Sequence, residues 1–284
     1  MVRNFFIIFF ALATTGIINA QANLLNAKVV EQIGKKSEEQ LAADNDGPLP
    51  YGYVGDRDIL WSKVVWEFVD LNQKINLPYY FPTDTISIST DRRSLFDTLV
   101  KGIKQGKIKE AYSDSFFTSK ITQAEIDTRL VNVRVENGFT DTFRIKTQDV
   151  EGYMIKGIWY FDKRQGEMKY RILALAPMGK DVQTLGVSEI EDKNLYELFW
   201  IFYPSAREVL HDAKVFNPEN SAHPISFDHL LNARRFNGTI VREENIYGNR
   251  AIKDYVRGNS LFQLLEASKI KEGIRNKEMD MWNY

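Results

Sequence analysis

None of the 284 residues is a cysteine, so no disulfide or thiolate zinc site braces this chain, and whatever it folds into stands on packing alone. The same absence excludes a cysteine nucleophile and a lipid anchor on an N-terminal Cys. Packing has ample material: 44% of the residues are hydrophobic, with 18 Phe, 13 Tyr and 5 Trp among them, enough for one large domain or two modest ones. Lys plus Arg number 37 against 38 Asp plus Glu, a formal charge of −1. No basic face is expected from that balance, so nucleic acid is not an expected partner.

The first twenty residues have a short basic start ending at Arg3, an apolar run from Phe5 to Leu12, and a weaker stretch through Thr14, Thr15 and Gly16 to Ala20. This reads as a secretory signal peptide cut between Ala20 and Gln21. An anchor helix is the alternative, but a bilayer core takes roughly twenty apolar residues, and this run is shorter. The mature chain is therefore exported, and in a Gram-negative cell its place is the periplasm.

Residues 21–55 read as a flexible arm, polar through Lys35, Lys36, Glu38 and Glu39 and then rich in Pro and Gly from Gly47 to Gly52. From Asp58 to Ile75 the spacing of Trp61, Val64, Val65, Phe68, Leu71 and Ile75 predicts an amphipathic helix with Lys63, Glu67, Asp70 and Lys74 opposite. Tyr79-Tyr80-Phe81-Pro82 is expected to follow as extended chain. A second helix is expected near Asp91 with Leu95, Leu99 and Ile103 inward, and a third behind the capping box Thr122-Gln123-Ala124-Glu125.

The N-terminal half thus reads as mostly helical. Residues 155–161 and 168–176 read as a hairpin, 196–203 as a central strand covered on both faces, and Pro204 as the first turn of a helix burying Ala206, Val209, Leu210 and Ala213. Ser226 caps a short helix before the Asn237-Gly238 turn, and a last helix runs from about Leu261 to Ile274. The expected architecture is α+β, a small antiparallel sheet with surrounding helices over 56–284, with a helical part 56–145 and a mixed part 146–284 as one subdivision.

Catalytic and metal signals are sparse. Glu208-Val209-Leu210-His211 is half of a carboxylate di-metal motif whose second half is missing, and the only other histidines, His223 and His229, lack a standard ligand spacing. No G-x-S-x-G elbow occurs. Asn237-Gly238-Thr239 is formally a glycosylation sequon, but an Asn-Gly turn explains it equally. No metal or cofactor is expected. Aromatic surface remains: Trp66 at the border of the first helix's polar stripe, Tyr79, Tyr80, Trp282 and Tyr284 are the candidate protein-interface anchors.

Five strings carry a resemblance: Asp56-Arg57-Asp58-Ile59-Leu60-Trp61-Ser62-Lys63-Val64-Val65-Trp66-Glu67, Asp91-Arg92-Arg93-Ser94-Leu95-Phe96, Ile155 to Lys163, Tyr203-Pro204-Ser205-Ala206-Arg207, and Pro224 to Phe236. With them, and the terminal Asp280-Met281-Trp282-Asn283-Tyr284, the chain resembles the gliding-motility and type IX secretion ring-subunit family of Bacteroidetes called GldN or PorN, to which the relative GldO is very similar. The resemblance implies a non-enzymatic periplasmic subunit that associates with itself in a ring. It also implies two partners: an outer-membrane lipoprotein, GldK or PorK, through which membrane association is indirect, and the motor shaft subunit GldM or PorM. The rival reading is an exported hydrolase with a non-standard carboxylate or Ser site.

The leader generates a direct expectation. Intact mass of the exported protein should correspond to a chain beginning at Gln21, and a membrane-embedded form retaining residues 1–20 would refute it.

Overall fold

Side chains from Ile59–Asp70 enter cores on two opposite sides: Val65 and Val69 on one, Val64 and Trp66 on the other. Only a strand distributes successive residues so, and this segment is β1, not the amphipathic helix that its spacing predicts. The computed structural model describes residues 47–83, 92–136, 139–185, 194–215, 217 and 225–281. Apart from Gly47 these belong to one unit, 48–85 with 92–284; the other unit, 1–47 with 86–91, otherwise lies outside them. The leader, Ala20, Gln21, the arm as far as residue 46, His223, Trp282 and Tyr284 are likewise outside the described residues.

After β1, a short helix α1 (Leu77–Tyr80) stands where extended chain is expected, because Pro78 sits in its first turn, where a missing N–H costs nothing. Next come α2 (Leu95–Lys104), β2 (Ala111–Tyr112), β3 (Lys120–Ile121) and α3 (Gln123–Leu130). A ribbon of β4 (Val131–Glu136) and β5 (Phe139–Arg144) follows, then the hairpin β6 (Val150–Asp162) and β7 (Glu167–Gly179). The expected strand at 196–203 is two short pieces, β8 (Tyr196–Glu197) and β9 (Trp200–Phe202), leading into α4 (Tyr203–Asp212). The chain continues through β10 (Lys214–Val215), β11 (Ile225–Ser226), α5 (Phe227–Asn232) and β12 (Thr239–Glu243), and ends in α6 (Ile252–Tyr255) and α7 (Ser260–Met281).

The α+β class holds, but strands occupy the first half too, and the sheet is larger than expected. Among the described residues it is antiparallel and has eight strands in the order β12-β1-β6-β7-β9-β2-β3, with β8 also on β7. At helix starts the outcome is mixed: Thr122 and Glu125 close the expected capping box and Ser226 accepts from His229 N, whereas the helix expected from near Asp91 starts at Leu95 with Ser94 as its cap, and the one expected from Asp58 is a strand.

One face of the sheet, through Val69, Ile155, Ile172, Leu175 and Ile201, packs on Leu95 and Leu99 of α2, Ala206 and Leu210 of α4, and Phe227 and Leu231 of α5. At the β12 edge, Val65 and Ile240 instead meet Ile252 of α6 and Ala267, Ile270 and Ile274 of α7. Between these two clusters the Glu67 carboxylate takes Arg234 Nη2 at 2.9 and 3.0 Å, and the Arg234 guanidinium lies over Tyr170 and Trp159 at 4.2 and 4.7 Å. Burial pushes the Glu67 pKa up, and Arg234 opposes that shift.

The opposite face carries Trp66, Ala174, Ala176, Trp200 and Tyr112, and the Asp114–Ser119 loop folds over it. Lys156 threads this loop, its ammonium 4.9–5.6 Å from the Phe116, Trp66 and Phe117 rings and donating to Ser115 O at 2.8 Å. Phe117 sits at φ 61°, a strained conformation for a bulky residue. Asp114 holds the loop by accepting from Phe116 N at 2.7 Å and from Thr118 Oγ1 at 2.6 Å.

Trp66 is 3% exposed within this cluster, so the helical-wheel argument for an indole at a polar border does not apply. Trp66→Ala is expected to cost about 3–5 kcal/mol of folding stability, the usual range for emptying an aromatic core site. Urea denaturation of the isolated chain measures it, and an unchanged midpoint would return the indole to the list of surface groups.

Candidate functional site

Extended chain from Pro48 to Val54 has no sheet partner, so its backbone groups must find others. Two arginines supply them: Arg207 Nη2 donates to Leu49 O at 2.6 Å and Arg171 Nη2 to Gly52 O at 3.0 Å. Between those carbonyls, the Tyr51 ring receives both guanidinium groups, centred 4.2 and 4.6 Å from it, and its hydroxyl donates to Asn232 Oδ1 at 2.8 Å. The end of the expected arm, from Pro48 onward, is therefore part of the folded body.

Beneath Tyr51 lies a buried ion pair. Arg207 comes from the inner face of α4 and Asp228 from the first turn of α5, and their side chains are 10% and 5% exposed. The Asp228 carboxylate accepts Arg207 Nε at 2.9 Å, Arg207 Nη2 at 3.0 Å, Tyr203 Oη at 2.9 Å and Asn232 Nδ2 at 2.9 Å. Such a bidentate, fully hydrogen-bonded pair is the arrangement in which attraction offsets desolvation. Burial, helped by Asp228, raises the Tyr51 pKa to about 12, and burial raises that of Tyr203 further. Both phenols stay protonated as donors at any ordinary pH.

This socket binds an extended segment of the chain itself. It fixes residues 49–52 to α4, α5 and β7. The sequence signal for it is a pair of charges of opposite sign placed within two apolar stripes: Arg207 beside Tyr203, Ala206 and Leu210, and Asp228 beside Phe227, Leu230 and Leu231. Tyr51 and Arg171 carry no such mark.

The other nominated residues fall elsewhere. Tyr79 is buried, its ring 6.3 Å from that of Phe227 and its hydroxyl donating to Arg235 O. Tyr80 is half-buried beside Phe81. Trp66, Tyr79 and Tyr80 thus do not form one surface. Glu208 and His229 are exposed on different helices, and among the described residues no group of three His, Cys, Asp or Glu is placed to hold a metal ion. No helix among them is long and apolar enough to cross a membrane.

Two substitutions separate the socket's tasks. Asp228→Asn leaves Arg207 buried without its counter-charge and should cost about 3–5 kcal/mol of global stability. Tyr51→Ala should leave the urea midpoint nearly in place while amide exchange accelerates in residues 48–54. Equal global loss from both would mean that the Tyr51 strap is integral to the core.

Comparison with protein-family models matches residues 54–283 to the family described as gliding motility associated protein GldN. Comparison with curated proteins returns no match.

Proposed function

The chain belongs to the GldN family of gliding-motility-associated proteins, components of the gliding and type IX secretion machinery, and from that premise we propose that it is a non-enzymatic periplasmic ring subunit. In this reading copies of the chain associate with one another and with an outer-membrane lipoprotein of the GldK or PorK kind, and meet the periplasmic part of a GldM or PorM shaft. The observation that carries it is the extent of the family match, which spans nearly the whole body from 54 to 283. The leader supports export, and without a cysteine the chain has no place for a lipid on an N-terminal Cys, which fits attachment through a lipoprotein partner.

A socket that holds its own strap also suits a subunit whose work is to be held in place. Leu49 and Tyr51 are bonded to Arg207 and Asn232, so a pull on the strap is transmitted to α4 and α5.

Native mass of the protein isolated with the lipoprotein tests the proposal. A ring subunit should run in an assembly far heavier than the 32.9 kDa chain. A chain that remains a small species with the lipoprotein present, and hydrolyses an ester or peptide substrate in that form, would favour the exported hydrolase instead.

A further inference from the structure

The strap and its socket recognise each other through chemistry that does not require them to share a chain. Pro48 and Pro50 have no backbone N–H, and the strap is held through carbonyls and one phenol. The socket answers with guanidinium donors for Leu49 O and Gly52 O, and with the Asn232 amide oxygen for the Tyr51 hydroxyl. The two prolines also limit the freedom that residues 48–52 lose on docking, as in proline-rich peptide ligands.

The socket is built to stand without the strap. Asp228 grips Arg207 through Nε and Nη2 and accepts from Tyr203 and Asn232 besides, so withdrawing Tyr51 uncovers a paired cation and not an orphaned one. Arg171 is steadied by Tyr160, whose hydroxyl accepts from its Nη2 at 3.3 Å. The connection from the strap to β1 is open by comparison. Tyr53 is 86% exposed, Asp56 and Arg57 are exposed, and the bond from Asp58 N to Gly55 O closes a turn within the connection itself. Extended, residues 53–57 span up to about 18 Å, roughly twice the distance between packed helices.

We propose that the socket is an exchangeable site, and that between assembled copies it takes the Pro48–Gly52 strap of the adjacent one. Such a swap conserves every bond of the docked strap and opens only the connection at 53–57. Strap and socket are different surfaces of one chain, so passing the strap from each copy to the next makes a heterologous contact, the class that closes a ring. A body of formal charge −1 has no long-range attraction for its own kind, and an exchanged strap ties neighbours without needing any. In the dilute chain the tether keeps the copy's own strap at high effective concentration and the socket closes on it; among packed copies a neighbour's strap reaches a comparable concentration. This inference rests on the ring reading and deepens it by naming the segment passed between copies.

The absence of native cysteine makes introduced ones unique. A Cβ at Gly52 meets nothing within 4 Å, and Ala233 is exposed beside Asn232, so the full chain carrying Gly52→Cys with Ala233→Cys is treated with a short bismaleimide. If that chain melts lower than wild type, Tyr53→Cys replaces Gly52→Cys. Dilute and alone, it should link within itself and stay a monomer. Isolated in assembly with the lipoprotein, it should give a ladder of covalent oligomers, and adding Tyr51→Ala should abolish the ladder. Independently, a fluorescent peptide of residues 47–54 should bind the Tyr51→Ala chain more tightly than wild type, whose own strap competes. Adding Arg171→Ala should weaken that binding at least about tenfold.

A heavy assembly in which the double-cysteine chain links only within itself would overturn the inference and leave the ring reading standing. So would a ladder that survives Tyr51→Ala, or a peptide that fails to bind the Tyr51→Ala chain. A chain that never enters a heavy assembly would overturn the ring reading and the inference together.

Discussion

The antiparallel ladder of β1, β6 and β7 is the constraint on which the rest of the structure depends. These strands are 12, 13 and 13 residues long and pair along nearly their whole lengths. Strands of that length, covered on both faces, must satisfy two different packing problems with alternate residues. One set, with Val65 and Val69, Ile155, Ile172 and Leu175, takes the helices. The other, with Trp66, Ala174 and Ala176, is too uneven in volume for a helix to lie flat on, and a loop carrying Phe116 and Phe117 fills it instead. Small residues on β7 are thus the condition for the aromatic cluster above them.

That double coverage also explains what the sequence conceals. A half-buried strand alternates visibly; a fully buried one does not, and in β1 the run Val64-Val65-Trp66 shows no alternation at all. Trp61, Val64, Val65, Phe68 and Leu71 happen to fit helical spacing, and a charged Glu67 opposite them completes the illusion. Only the third dimension reveals that Glu67 is buried against Arg234, 167 positions away. The better guide was composition, since Ile59, Trp61, Val64, Val65, Trp66, Phe68 and Val69 are β-branched or aromatic and the segment holds no alanine.

Where the determinant is local, reading succeeds: Thr122 and Ser226 each accept a backbone N–H three residues on. The β6–β7 hairpin is equally legible, because its polar loop separates two runs rich in β-branched, aromatic and other apolar residues. The socket is legible in halves. Arg207 and Asp228 stand out within apolar stripes, but Tyr51 joins them from more than 150 residues away, out of a segment whose Pro and Gly content reads as linker. A Pro-rich segment lacks ladder donors, yet its carbonyls remain available, and two arginines suffice to capture them.

Net charge decides what kind of association suits such a body. With 37 basic and 38 acidic residues, copies of the chain neither attract nor repel one another at long range, so steering contributes little and specificity must come from shape and apolar complementarity. Two ion networks are buried, Glu67 with Arg234 and Asp228 with Arg207, Tyr203 and Asn232, while most other charges lie on the surface. Among those charges stand exposed apolar side chains, Leu261, Leu264 and Leu265 on α7 and Val133 and Val135 on β4, the material for apolar contacts. Contacts of that kind are insensitive to ionic strength and strengthen by repetition, because each added neighbour lowers the entropy that the next contact must overcome. The few charges taken into the body hold its own strap and helices together, and the rest face solvent, so they add to solubility without selecting a partner.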